Sequence, residues 1–256
     1  MLRKHIITAV HGDERVEEAV IAEVDKAWRP IEGTFRTLEV DTVCIGYGLV
    51  PSNEIARLVG CKHTYEPRFG GWVPERKDDM ETSVEGVYAV GDGAGVAGSS
   101  IAELEGRIAG ISLAESLGRI SSDEAKKTKK SLFDSMKKIQ RLRDVLDEIS
   151  VPRPGLYELA NDETIICRCE EITLSDLKDV ISSGVTEINE LKRLTRTGMG
   201  RCQGRLCGST VQEILAMLTG KPAAEIGYLY QRPPTKLVSL DMLESLPGEF
   251  EIRHGW

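Results

Sequence analysis

The sequence predicts an α/β fold followed by a second, smaller and mainly helical unit. Two observations favour this organisation. Between residues 84 and 118, a short β-rich run, a glycine-rich turn and a helix with many small residues follow one another, which is the order used by nucleotide-binding α/β layers. Four of the six cysteines then lie between residues 167 and 207, among three amphipathic helical segments.

Composition narrows the functional class. The 256 residues carry a net charge of −8, which argues against nucleic-acid binding because phosphate contacts need clustered positive charge. No apolar run approaches the roughly 18 residues of a membrane span, and the apolar stretch near Met1 is too short for a secretory signal. Six cysteines are too few for a disulfide scaffold of this length, so we expect a cytoplasmic protein in a reducing compartment.

Residues 1–118 are expected to form the first unit, which begins with strands and turns. Thr37 to Ile45 has the composition of a strand that ends in a buried run, and residues 53–58 are expected to form a short helix that stops at Gly60. Residues 61–83 show little periodicity, which predicts a loop with one strand near Trp72.

The nucleotide-type segment comes next. Val84 to Val90 is predicted to be a strand that stops at Gly91-Asp92-Gly93. A helix is expected to begin at Ser99 or Ser100 and to reach about residue 117.

Residues 119–155 are expected to form a linker. Apolar side chains at three- and four-residue spacing predict an amphipathic helix over residues 121–149. Eight basic side chains between Lys126 and Arg143 form either a docking surface or the solvated face of a connecting helix. The Pro-rich stretch at residues 152–155 marks the domain boundary.

The second unit is expected over residues 156–220. Thr173 can cap a helix with Asp176 at the capping-box position, a second helix covers Ile188 to Leu194, and a third begins at Ser209 or Thr210. The tail at residues 221–256 shows little periodicity, and we expect it to wrap over a partner or another domain.

The cysteine pattern of the second unit is C-x-C, then 32 intervening residues, then C-x4-C, formed by Cys167, Cys169, Cys202 and Cys207. Thiolates are soft ligands that suit iron–sulfur clusters, zinc or Cu(I). A two-iron cluster needs two thiolates on each iron, whereas C-x-C is unusual in zinc knuckles. Gly198, Gly200, Gly204 and Gly208 would let backbone N–H groups approach the sulfurs.

This stretch resembles the bacterioferritin-associated ferredoxin-like [2Fe-2S]-binding domain. The C-x4-C spacing, where bacterioferritin-associated ferredoxin itself has C-x2-C, is similar to the version fused to amine- and amino-acid-oxidising flavoproteins. The resemblance implies a small helical domain in which the four cysteines hold a [2Fe-2S] cluster, with a structural zinc site as the alternative. Cys44 and Cys61 lack paired spacing and are expected to be a buried strand cysteine and a loop cysteine.

Residues 82–92, Thr-Ser-Val-Glu-Gly-Val-Tyr-Ala-Val-Gly-Asp, resemble the second FAD motif of glutathione-reductase-like, two-dinucleotide-fold flavoproteins. Residues 40–53 resemble the strand and turn by which that family's NAD-like domain returns to the FAD domain. The resemblance implies a partial FAD/NAD(P)-binding domain in which the Gly91-Asp92 segment binds the FAD ribitol. The helix start at Ser99, Ser100 and Ile101 would point its positive end at the flavin.

The other segment of that family's FAD site, an N-terminal strand–G-x-G-x-x-G–helix for the pyrophosphate, is not found in these 256 residues. Residues 93–98 fit G-x-G-x-x-G but lack the acidic ribose ligand at the end of a following strand. We therefore expect the C-terminal portion of a flavoprotein, either a split subunit or a fragment. FAD would then be shared with a chain that supplies the N-terminal half.

The whole order resembles the α-type subunits of dye-linked proline dehydrogenases, opine oxidases and hydrogen cyanide synthase. This resemblance implies an FAD-dependent oxidoreductase subunit that relays electrons between FAD and a [2Fe-2S] cluster, beside a partner flavoprotein subunit that oxidises the substrate. We find no catalytic candidate here, because His5, His11, His63 and His254 lie in no paired arrangement. A non-enzymatic ferredoxin-like electron carrier or iron-handling module and a zinc-stabilised interaction protein are the alternatives.

Overall fold

The computed structural model describes residues 2–245, of which Arg141 and Leu142 are described by their backbone alone. The remainder of the predicted tail, including His254, lies outside the described residues. The described chain mixes short antiparallel sheets with helices, in agreement with the predicted α/β class.

The first sheet is a three-stranded antiparallel meander. Its strands are β1 (His5–His11), β2 (Glu18–Glu23) and β3 (Arg36–Glu39), with β2 in the centre. The central strand buries Ala19 and Ile21, whereas every residue of β3 is exposed. The sheet therefore keeps an open edge at β3.

The predicted strand over residues 37–45 is wrong beyond Glu39. Glu39 pairs with Glu18, the first residue of β2, and the N–H of Val40 donates to the carbonyl of Glu17 at 2.9 Å. Beyond this point β2 offers no further partner, so the chain continues without regular structure and largely exposed. Cys44, which we expected in a buried strand, is consequently exposed.

The predicted strand over residues 84–90 is also wrong. Within the described chain this segment makes one isolated bridge, between Glu81 and Tyr88. Gly86 adopts a φ of +76°, and the N–H of Val87 donates back to the carbonyl of Val84 at 3.1 Å. The glycine in the middle of the run therefore closes a turn instead of extending a strand.

The predicted loop over residues 61–83 contains a hairpin. Strand β4 (His63–Glu66) pairs with β5 (Gly71–Pro74) around a 3₁₀ turn at Pro67–Phe69. Trp72 lies on a strand, as predicted, and faces Tyr65 across the hairpin.

Four helices lie in the first half of the described chain; the first three correspond to predicted helices, whereas no helix was predicted at the fourth. They are α1 (Glu54–Leu58), α2 (Ser99–Ser116), α3 (Ser122–Ser150) and the short α4 (Pro154–Glu158). Ser121 caps α3 by accepting the N–H of Glu124 at 3.3 Å. None of the helices within residues 2–245 has both the length and the apolar composition that crossing a membrane requires.

Helices α2 and α3 pack through the apolar face of the first half of α3. Ile108 of α2 is fully buried in a cluster that includes Leu132, Phe133 and Met136 of α3. The last turns of α3 instead expose Ile149. The lysines on its polar face are exposed apart from Lys129, which pairs with Glu115 at 2.8 Å, so this face is largely solvated.

The second half builds a helical core over a minimal hairpin. Its elements are β6 (Ile165–Cys167), β7 (Ile172–Thr173), α5 (Leu174–Ser182), α6 (Ile188–Thr195), α7 (Gly208–Thr219), α8 (Ala223–Ile226) and α9 (Leu240–Glu244). The predicted capping box of Thr173 and Asp176 is formed, and α7 begins one residue before its predicted start. Leu177, Leu191 and Leu215 are fully buried, and Cys167 and Cys207 belong to the same core.

Candidate functional site

The four cysteines of the second half occupy the ends of regular elements and the loop between them. Cys167 is the last residue of β6, and Cys169 follows two residues later. Cys202 lies in the turn-rich loop after α6, and Cys207 is the N-cap residue of α7. Two separate segments therefore bring their thiols to one side of the helical core.

The structure pairs these thiols across the two segments. The Sγ atoms of Cys167 and Cys207 are 3.8 Å apart, and the Cys169 thiol lies close enough to Cys202 to help lower the pKa of Cys202. Two thiolates on one tetrahedral metal with bonds of roughly 2.3 Å lie about 3.8 Å apart. Each pair thus has one member from C-x-C and one from C-x4-C. Among the described residues, no three His, Cys, Asp or Glu side chains form a single group that could hold one metal ion.

Glycines allow the cysteine loop to close tightly around these thiols. The N–H of Gly198 donates to Sγ of Cys167 at 3.4 Å. A Cβ atom on Gly200 would collide with Cβ of Cys169, and one on Gly204 would approach Cδ1 of Leu229 to 2.8 Å. Larger residues at these positions would therefore push the two segments apart.

The two cysteines of the loop differ in acidity. Partial burial alone would raise the pKa of Cys202, but the N–H of Leu206, the Cys169 thiol and the N–H groups of Gly204 and Arg205 together lower it. Burial raises the pKa of Cys207 to about 12, and the neighbouring Cys167 adds to this effect. The backbone of the loop is thus arranged to stabilise negative charge on the Cys202 sulfur.

The flavin-type motif forms a short 3₁₀ turn at Gly91–Ala94 that presents the exposed side chain of Asp92. Gly91 has a φ of +61°, and a Cβ atom there would lie 3.2 Å from Cβ of Ala102 on α2. Glycine at this position therefore allows both the left-handed turn and its close approach to the helix.

A buried carboxylate fixes this turn. Oε2 of Glu105 on α2 accepts the N–H of Gly91 at 2.7 Å, and its Oε1 pairs with Nη2 of Arg76 at 2.5 Å. The Arg76 guanidinium also donates to the carbonyl of Ala89 at 3.1 Å. Glu105 and Arg76 thus hold the two residues on either side of Val90, next to the isolated bridge at Tyr88.

Helix α2 starts as predicted, directly after the flavin-type turn. Its N-cap residue Gly98 has a φ of +86° and makes no side-chain capping bond, while Ser99 and Ser100 are exposed. Ile101 has a buried side chain, and its N–H donates to the carbonyl of Gly98 at 3.1 Å. Of the three residues assigned to the flavin contact, Ser99 and Ser100 are therefore the accessible ones.

A set of contacts that we call the seam joins the first half to the second. The Tyr65 hydroxyl donates to Glu213 on α7 at 2.5 Å, and Nε1 of Trp72 donates to Oε1 of Gln212 at 3.2 Å. The Arg57 guanidinium lies 4.2 Å above the Tyr228 ring. Burial and the bond to Glu213 raise the pKa of Tyr65, so its hydroxyl remains a donor.

Sequence reasoning missed Glu105 and the seam. A signal for Glu105 exists, because it lies four residues after Ile101 and three before Ile108, on the buried face of α2. A charged side chain on such a face needs a partner. The seam carries no comparable local signal, since its partners are more than 130 residues apart in sequence.

Two family models match the chain. Residues 2–118 match the pyridine nucleotide-disulphide oxidoreductase family, and residues 161–245 match the sarcosine oxidase A3 domain. The first match includes the flavin-type turn, and the second includes the four paired cysteines.

Curated relatives match most of the chain. It is 35% identical to an opine oxidase subunit of Agrobacterium tumefaciens over 83% of its own length and 42% of the relative. It is 30% identical to hydrogen cyanide synthase subunit HcnB of Pseudomonas aeruginosa over 95% of its own length and 52% of the relative. The chain thus spans about half the length of these relatives.

A solved structure shares the fold. The crystal structure of L-proline dehydrogenase from P. horikoshii matches with a TM-score of 0.69 at 24% identity, over 92% of this chain and 43% of that chain. The chain is therefore similar to the pyridine nucleotide-disulphide oxidoreductase family over residues 2–118, to the sarcosine oxidase A3 domain over residues 161–245, and to oxidoreductase subunits over most of its own length.

Proposed function

We propose that this chain is the electron-transferring part of a flavin-dependent oxidoreductase that acts on amines or amino acids. In this proposal the Asp92 turn contributes to an FAD site, and the four paired cysteines hold a [2Fe-2S] cluster. We further propose the domain limits given by the sequence, with the cluster domain at residues 156–220 between a linker and a tail. Because such a cluster needs reduced thiols, we place the chain in the cytoplasm.

The pairing of the thiols is the observation that carries this proposal. A two-iron cluster takes two thiolates on each iron. The 3.8 Å separation of the Cys167 and Cys207 sulfurs suits two ligands of one tetrahedral iron, and the neighbouring thiols of Cys169 and Cys202 would be the ligands of the second iron. A single zinc ion would instead need the thiols to converge as one group.

The surroundings of the thiols also suit an anionic cluster. The backbone N–H groups of Leu206, Gly204 and Arg205 help to lower the pKa of Cys202, and the N–H of Gly198 donates to Sγ of Cys167 at 3.4 Å. Hydrogen bonds to cluster sulfurs are one of the means by which proteins set the potential of such centres.

The flavin part of the proposal depends on Asp92 and the start of α2. The exposed Asp92 carboxylate, held on a turn fixed by Glu105, would accept a hydrogen bond from the FAD ribitol. The N–H groups at Ser99 and Ser100 would point a positive helix end towards negative charge on the flavin. The pyrophosphate site would come from a chain or segment that carries the strand–G-x-G-x-x-G–helix element.

The names of two relatives, an opine oxidase subunit and a hydrogen cyanide synthase subunit, support the proposed substrate class. Oxidation of a C–N single bond to C=N releases two electrons and two protons. Bound FAD would take up the electron pair, and the cluster would pass the electrons on one at a time to an external acceptor. A partner flavoprotein subunit would carry out the substrate chemistry.

Single-cysteine variants test the cluster assignment. We expect Cys207→Ser to lose most of the iron and acid-labile sulfide, because a hydroxyl is a poor ligand for a soft site. Cys61→Ser is the matched control, since Cys61 is also buried but bonds to the Thr82 hydroxyl at 3.3 Å. Iron and sulfide at wild-type levels in Cys207→Ser would show that the ligand assignment is wrong.

A further inference from the structure

We infer that the ion pair between Glu54 and Arg205 is the positioning contact between the flavin side and the cluster side of the proposed relay. It holds the Cys202–Cys207 loop against the first half and fixes one cation beside the cysteine pairs. This inference rests on the proposed function and adds a pair of charged residues that links the two proposed sites.

Arg205 lies between Cys202 and Cys207, and its guanidinium is fixed on three sides. Nε pairs with Oε1 of Glu54 at 2.8 Å, Nη1 donates to the carbonyl of Cys202 at 3.3 Å, and Nη2 donates to the carbonyl of Thr235. The Arg205 side chain is 28% exposed and that of Glu54 is 12% exposed, so water screens this pair only in part. A guanidinium held in this way is an oriented charge at a set place.

On its other side, Glu54 reaches towards the flavin-type turn through Ser52. It is the first residue of α1, and its Oε2 accepts the hydroxyl of Ser52 at 3.1 Å. The carbonyl of Ser52 lies 3.3 Å from the place that a Cβ atom on Gly93 would occupy. Gly93 directly follows Asp92, so Glu54 and Ser52 bridge the space between the flavin-type turn and the cysteine loop.

The rest of the seam does not depend on this ion pair. The bonds of Tyr65 to Glu213 and of Trp72 to Gln212, together with Arg57 above Tyr228, join the two halves separately. Neutral substitutions at Glu54 or Arg205 should therefore leave the halves docked. Their effect can be read at the cluster rather than as unfolding.

The test is the midpoint potential of the cluster, measured in the full chain within the assembly that carries it. Arg205→Gln removes a positive charge and should lower the potential, whereas Glu54→Gln removes a negative charge and should raise it. A unit charge within about 10 Å of a redox centre at an effective dielectric of about 20 changes its one-electron equilibrium by roughly tenfold. The double variant should return close to the wild-type potential.

Glu103→Gln is the matched control, because Glu103 forms an ion pair with Arg107 at 2.7 Å on the surface of α2 and both side chains are more than half exposed. It should leave the potential unchanged. If Arg205→Gln fails to assemble a cluster, Glu54→Gln decides the question. If both variants carry full iron and sulfide and their cluster potentials equal that of wild type, this inference is wrong but the proposed function stands. If the wild-type assembly contains no iron and sulfide, the proposed function itself is wrong.

Discussion

The buried side chain of Glu105 fixes the backbone at Gly91, where regular strand pairing does not. Its side chain is almost fully buried, and its two oxygens bond to the Gly91 N–H and the Arg76 guanidinium. Both partners are donors, which only a carboxylate can satisfy at once. The turn that carries Asp92 therefore depends on both oxygens of this side chain being acceptors as well as on its shape.

Glu105→Gln should accordingly destabilise the first half. The amide would turn an NH₂ group towards either the Gly91 N–H or Arg76, so one bond is lost along with the ion pair. We expect a loss of about 2–3 kcal/mol in the free energy of unfolding by urea, together with weaker flavin uptake. A free energy of unfolding equal to that of wild type would show that Glu105 does not hold the turn.

Asp92 should affect the flavin without affecting the cluster. Asp92→Ala removes one charge-assisted hydrogen bond, which is worth about 1.5–3 kcal/mol, or roughly ten- to a hundredfold in FAD affinity. Titration with limiting FAD measures this loss, and iron content provides the internal control. Unchanged flavin occupancy would count against the assignment of this turn to FAD.

Secondary structure follows the sequence where the signals are local. The Thr173 capping box and the spacing of apolar residues in α3 predict helices that the structure contains. The strands at residues 40–45 and 84–90 were wrong, because composition cannot show whether a neighbouring strand is present to pair with. Gly86 in the second run was the local indication of a turn.

The packing of α2 on α3 gives an element-scale prediction. Ile108→Ala should cost about 2–5 kcal/mol in the free energy of unfolding, because Ile108 is fully buried in the cluster that joins the helices. Ile149→Ala on the exposed end of α3 should cost much less, since Ile149 is 63% exposed. Similar losses for both variants, measured in urea, would mean that the end of α3 is covered in solution.

At the scale of the whole molecule, the contacts of the seam hold the two proposed redox sites within one folded structure. The candidate ligands could be predicted from the sequence because their spacing is local within each segment. The contacts of Glu54, Tyr65 and Trp72 could not be predicted, since they join residues more than 130 positions apart. The cross-pairing of the thiols depends on how two separate segments meet in the fold, which the spacing within each segment does not show.

The flavin site should be incomplete within these 256 residues. The pyrophosphate of FAD carries two negative charges, and its helix-end site supplies a large share of the binding free energy. We therefore expect this chain alone to bind FAD weakly, and co-expression with a chain that carries strand–G-x-G-x-x-G–helix to raise flavin occupancy. Stoichiometric FAD in the chain purified alone would contradict this expectation.

In the proposed function, this chain joins a flavin site to a [2Fe-2S] cluster. The most direct measurement is the visible absorption spectrum of the purified assembly before and after anaerobic chemical reduction, with iron, acid-labile sulfide and zinc determined on the same sample. We predict flavin bands over broad iron–sulfur absorption, bleaching of both on reduction, and equal amounts of iron and sulfide. A colourless protein that contains zinc would contradict the account, and cluster absorption without flavin in the complete assembly would reduce it to a simple electron carrier.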